Sequence, residues 1–204
     1  MVRVMTELLT QERAADLLGA HSSALHGCID RAWNRWLQNP DAATASKRTR
    51  ATTVYDYITQ EVQQTFGDVD GFTLAWKHGS LHMTVDNSAI IKFKKFRSRK
   101  LRTSGIPTNA RNQFLRQAGV LDGMVVTHLV VGYLLDELEL APETIAVACP
   151  LGKGNLWALP LGPEFDAGEG AMPRPIAATT TDDGGTVIRS TKVAASVDTA
   201  VNEE

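Results

Sequence analysis

Phe72-Thr-Leu-Ala-Trp76, Leu81-His-Met-Thr-Val85 and Ala89-Ile-Ile-Lys-Phe-Lys-Lys-Phe96 are three alternating runs, separated by Lys77-His-Gly-Ser80 and Asp86-Asn-Ser88. Period-two alternation broken by Gly, Asn and Asp predicts an antiparallel meander. In the third run Ile91 and Phe93 share one face, and Ile90, Lys92 and Lys94 share the other, because successive strand side chains point to opposite sides. One side can pack while the other shows ammonium groups to water or to a partner.

The third run opens the densest positive stretch of the chain. Lys92, Lys94, Lys95, Arg97, Arg99, Lys100 and Arg102 follow one another with no acid between them. The plain reading is a solvated strand end whose lysines blunt a sheet edge against aggregation. The functional reading is a phosphate-contacting patch, since the arginine fork suits phosphate bidentately. Such a patch gives sequence-independent affinity that falls with salt. Next, Gly105-Ile-Pro-Thr108 resets the chain, with Thr108 as N-cap of a short helix over 109–117. Arg111 and Arg116 carry the positive surface onto that helix, and Phe114 and Leu115 anchor it.

Towards the N-terminus, Thr6 opens a helical region, and a second helix over 23–37 carries Leu25, Ile29, Trp33 and Trp36 along one stripe. That spacing suits a core or a helix–helix contact; a partner-docking or homodimer surface is the other reading. Residues 41–50 read as a polar linker ending in Lys47, Arg48 and Arg50, and Val54 to Phe66 as a third helix. Towards the C-terminus, β-branched density over 124–135 predicts a buried strand. Shorter strands are expected at 145–149 and 156–159. The expectation is an α+β fold: N-terminal helices, then a mainly antiparallel sheet built as three strands, a helix and three strands. The division is a helical segment 1–50, a core 51–161 and a disordered acidic tail 162–204.

The formal charge of −2 over 204 residues hides an asymmetry. Residues 1–160 hold 18 basic and 15 acidic side chains; 161–204 hold 3 and 8. A mildly basic body with one strong cluster is compatible with nucleic acid, without a histone-like excess. No apolar run approaches the ~20 residues of a membrane span. Two distant cysteines, Cys28 and Cys149, imply no disulfide framework. A cytosolic protein with reduced thiols is expected.

No motif marks a reaction. The order of helix, three strands, helix and strand resembles the restriction-endonuclease-like nuclease core. That resemblance implies an acid on the second strand and an acid-x-Lys on the third, holding Mg²⁺ to activate water. The positions it points to are Glu61, Asp86, Lys92 and Lys94, but the acid two residues before either lysine is missing. His21, His26, Cys28, His78 and His82 lack zinc-ligand spacing and read as structural, so no metal is assigned. Gly152-Lys-Gly154 lacks the spacing of a phosphate-cradling loop. His128, inside an apolar strand, reads as a hydrogen-bonded core residue.

Ile90 to Phe96, Ser104-Gly-Ile-Pro-Thr108, His128-Leu-Val-Val-Gly-Tyr133-Leu-Leu-Asp136, Pro150-Leu-Gly and Trp157 together resemble a family of uncharacterised bacterial proteins. These occur in cassettes with helix-turn-helix regulators, of the toxin–antitoxin or phage-defence kind. The resemblance covers about residues 54–160. It implies a bacterial cytosolic protein working beside a DNA-binding partner protein, and it carries no catalytic motif. The expected activity is non-catalytic binding of nucleic acid, or of such a regulator, through Lys92, Lys94, Lys95, Arg97, Arg99, Lys100, Arg102, Arg111 and Arg116. No cofactor is expected; a degenerate Mg²⁺-dependent nuclease or an interaction module of the N-terminal helices are the other readings.

Overall fold

In the computed structural model, which describes residues 8–121 and 124–162, the meander forms as the alternation predicts. Strands β1 (Phe72–Lys77), β2 (Ser80–Val85) and β3 (Ala89–Lys95) pair antiparallel, with Trp76 opposite Leu81 and His82 opposite Lys92. The chain then leaves the sheet, forms helix α4 (Asn109–Leu115) and short strand β4 (Gly119–Leu121), and returns as β5 (Met124–Leu135). β5 runs parallel to β3, with Ile91 beside Leu129 and Phe93 beside Val131. Parallel neighbours cannot be joined by a tight turn, so the segment carrying α4 crosses one face of the sheet. β6 (Pro142–Leu151) and β7 (Gly154–Pro160) complete an order of β1-β2-β3-β5-β6-β7, with β4 against β5.

The α+β class is therefore as expected, and Thr108 caps α4 by accepting from the Arg111 N–H at 3.2 Å. The arrangement differs from the expectation in three ways. The sheet gains β4 and one parallel join. The first helix, α1 (Gln11–Leu18), starts after its cap Thr10. The polar linker stops at Ser46, which caps helix α3 (Lys47–Phe66) through the Thr49 N–H, so Lys47, Arg48 and Arg50 form that helix's first turn. Three cations at a helix N-terminus oppose the dipole. The strain is relieved from outside the helix: Lys47 and Arg50 both pair with Glu139. Readings placed on residues 6–7 and 163–204 lie outside the described residues.

One face of the sheet carries α2 (Ser22–Leu37) and α3. Leu25, Ile29, Val54 and Ile58 meet Met83, Ile91, Phe93 and Leu129 there in one core shared by all three N-terminal helices. Burial of each such side chain contributes about 1.5–3 kcal/mol. Trp33 and Trp36 lie in this core at 3% exposure. The reading of these tryptophans as a partner-docking surface is corrected: the stripe that carries them faces the protein's own sheet.

The opposite face carries Phe96, Leu101, Phe114, Val130 and Leu134, under α4 and the loop before it. Gly132 makes this layer possible: a Cβ there would stand 2.0 Å from the Lys94 carbonyl oxygen and 3.2 Å from the Phe96 ring. Gln117, at φ +57°, follows α4 and turns its amide into the sheet. It accepts from the His128 N–H at 2.7 Å and donates to the His128 and Pro150 carbonyls at 2.9 and 2.7 Å. One side chain thus stands in for a strand where β5 and β6 have not yet paired. Among the described residues no helix is long and apolar enough to cross a membrane.

Candidate functional site

Strand alternation divides the basic run into groups with different fates. Lys95 shares the helix-bearing face with Ile91 and Phe93, and so meets the start of α3. Its ammonium lies 3.3 Å from Glu139, the carboxylate already held by Lys47 and Arg50. The hydrogen bond from Arg50, followed by that from Lys47, pulls the Glu139 carboxyl down to about 2. Arg99 pairs with Glu143 at 3.0 Å on the open surface, a contact of roughly 0–1 kcal/mol. Arg97 and Arg99 line a depression that also holds Asp136, Glu137, Glu139 and Glu143. This part of the run is matched by the protein's own acids.

Lys92 and Lys94 point to the other face, under the crossover. With Arg111 they line a cleft of about 320 Å³ between the sheet, α4 and the loop Thr103–Thr108. Lys77, His78 and His82 complete its basic wall, and among the described residues no acid lines it. The Lys92 ammonium sits 4.4 Å from the centre of the Phe114 ring, a cation–π contact on a half-buried lysine. The Lys94 side chain is more open to solvent and reaches to 5.8 Å from the Tyr55 ring. Arg111 is held from behind: one terminal nitrogen donates to the Thr103 carbonyl at 3.0 Å. A Cβ on Gly105 would lie 2.9 Å from Arg111 Nε, so the glycine lets the loop close over the guanidinium stem.

The electrostatics of the cleft are those of neighbouring cations with no carboxylate among the described residues that line it. Burial, and then the neighbouring Lys94, lowers the Lys92 ammonium below its ordinary value. Burial and then Arg111 do the same to Lys94. His82, opposite Lys92 on β2, falls to about 4 through burial, then Lys92 and Lys77. His128 is lowered by burial first, with Lys92 adding to it against the Phe114 carbonyl. Its ring stacks on Phe114 at 4.5 Å and 5°, and its Nδ1 lies 3.1 Å from that carbonyl oxygen. Mutually lowered cations facing one cavity mark a place where an anion would relieve repulsion.

A second depression of about 240 Å³ adjoins the first, and both are bounded by Thr103, Arg111, Leu115 and Val130. Arg102 and Lys153 line it with Arg111, again with no acid among the described residues. Asn155, on the β6–β7 side, fixes the intervening loop by donating to the Lys100 and Leu101 carbonyls. Of the nine expected residues, Lys92, Lys94, Arg102 and Arg111 surround this double cleft. Lys95, Arg97 and Arg99 lie with the acids, and Lys100 and Arg116 are exposed beside it. The expected patch is thus divided between a recess and a rim on which Lys95 and Arg99 pair with Glu139 and Glu143. Lys77, His78, His82 and Lys153 were missed. Their signal was the strand phase, which puts His82 on the same face as Lys92 once the meander register is drawn.

The four positions suggested for a nuclease do not meet. Glu61 lies on α3, paired with Arg31 at 2.6 Å, on the sheet face away from the cleft. Asp86 sits on the β2–β3 turn at φ +45°, its carboxylate against Gly71. Among the described residues, Lys92 and Lys94 therefore have no carboxylate beside them in the cleft. His21 packs edge-on against Phe72 at 4.7 Å, and Cys28 lies 3.4 Å from the Thr65 hydroxyl with its thiol pushed up by burial. Among the described residues no three His, Cys, Asp or Glu side chains are grouped to hold a metal ion. No protein-family model, curated protein or solved structure matches the chain.

Proposed function

We propose that this protein binds nucleic acid, without catalysing a reaction on it, through the double cleft around Arg111. The observation that carries the reading is that no acid lines either depression among the described residues, whereas Lys95 and Arg99 of the same basic run pair with Glu139 and Glu143. A cation recessed against apolar surface pays desolvation with no internal partner; a phosphate supplies one. Arg111, tethered at one nitrogen, presents its remaining donors in a fixed plane, which suits phosphate better than a mobile surface lysine does. The contacts would be to backbone, giving position and affinity with little base readout.

The reading belongs in the cytosol of a bacterium, where the resemblance over residues 54–160 would set the chain beside a DNA-binding regulator. An acidic surface of that regulator is the competing occupant. Fluorescence anisotropy with labelled RNA and DNA, titrated with salt, tests the reading; poly-glutamate serves as the protein-like polyanion. With about four phosphates neutralised, log K should fall with log salt at a slope of about −3. No binding to either nucleic acid, or poly-glutamate displacing both at equal charge concentration, overturns it.

A further inference from the structure

We infer that the double cleft takes a single strand rather than a duplex, with one nucleotide unit in each depression and the phosphate between them at Arg111. The inference rests on the nucleic-acid reading above and adds the form of the ligand. The two depressions measure about 320 and 240 Å³. The first lies at the small end of the ~300–1,000 Å³ range of ligand pockets and the second just below it, which matches a small flexible unit in each. Among the described residues Arg111 is the only charged one that lines both.

The recess decides between the two forms. Lys92 lies half-buried with its ammonium 4.4 Å from the Phe114 ring, below a rim formed by the loop Thr103–Thr108. A duplex carries its phosphates on a stiff rod with a persistence length of about 50 nm, so it spans such a rim without entering. A single strand turns at each phosphate and can lower one to the floor. The rim also offers Ile106, 81% exposed beside the cations, as an apolar surface for a base face. Cationic grooves that track the backbone are the usual form of sequence-tolerant single-strand sites, with aromatic stacking platforms; here the exposed platform is aliphatic.

The test uses the full chain and labelled oligo-dT and oligo-U of about 12 nucleotides, a length within the range of single-strand sites, with a duplex of equal length. The expected result is affinity for one or both single strands at least about tenfold above the duplex, a difference of ~1.4 kcal/mol. Lys92→Gln/Lys94→Gln/Arg111→Gln should reduce the single-strand salt slope by about 2. Arg111→Lys keeps the charge and removes the fork; it should weaken the single strand more than the duplex while leaving the unfolding midpoint unchanged. Equal affinity for both forms, each lost in the triple variant, overturns the single-strand inference and leaves nucleic-acid binding standing. Binding of neither form overturns both.

Discussion

Gln117 shows how much can hang on one side chain. Its amide closes three buried backbone groups, at His128 and Pro150, that no strand reaches. Gln117→Ala leaves them unmade, at about 1–3 kcal/mol for each buried group left unsatisfied. The expected loss is at least about 3 kcal/mol in denaturant unfolding at constant m-value. Gln117→Glu keeps the acceptor for the His128 N–H but sets a carboxylate against two carbonyls, and should cost at least as much. His82 makes a second prediction at this scale. Its value in the folded protein, about 4, lies below the ordinary 6.5, so the unfolded chain binds the proton more readily. Stability is then retained above the ordinary value and lost as pH falls through that window. Because the ring is only partly buried, solvent screening holds its share to about 1 kcal/mol. His82→Gln should flatten the acid limb of a stability–pH curve by that amount. A bound polyanion reverses the sign of the local field, so nucleic-acid affinity should rise on acidification in the wild type and less so in His82→Gln.

At the scale of elements, the β5–β6 connection is turned inside out. Glu139, at φ +56°, points inward to Lys47, Arg50 and Lys95, while Leu138 and Leu140 stand 77% and 63% exposed. One carboxylate thereby joins the start of α3, the end of β3 and the turn. Glu139→Ala strands three cations near one another and should destabilise the fold by roughly 1–2 kcal/mol, between the surface and buried limits for ion pairs. With a folded value of about 2 against an ordinary 4.5, the wild-type contribution is present above the ordinary value and disappears as pH falls towards the folded one. Single-strand affinity should change little in this variant, since Glu139 lines neither depression.

The sequence made some elements plain and hid others for physical reasons. The meander was legible because one face of β2 and of β3 is buried, so alternation fixes phase and register there; edge strand β1 follows by pairing, with Trp76 53% exposed. Thr108 was legible because a side-chain cap is a local bond. Lys47, Arg48 and Arg50 misled, since three cations opening a helix make sense only with Glu139, 89 residues beyond Arg50. Trp33 and Trp36 left two readings open because a helical stripe reports that a face is apolar, without saying what covers it. The site was half legible. Counting charge found the run, but only the parallel return of β5 beneath α4 shows which cations share a recess with Arg111 and which meet acids.

For the molecule as a whole, the two faces of the sheet divide the work. The helix-bearing face holds the main core, with Phe66, Phe93 and Leu129 fully buried. The crossover face holds a smaller core beside a cavity whose cations repel one another. Such a face costs stability in the free protein and recovers it on binding, so a saturating nucleic acid should raise the unfolding midpoint, and more at low salt than at high. The most direct test compares two triple variants in one anisotropy experiment at matched salt. One removes the cations that line the larger depression, Lys92→Gln/Lys94→Gln/Arg111→Gln; the other removes exposed loop cations outside it, Arg97→Gln/Arg99→Gln/Lys100→Gln. The account predicts a loss of about a hundredfold or more in the first, some 2.7 kcal/mol, and a change of no more than about threefold in the second. The reverse ranking, or equal losses, would contradict it.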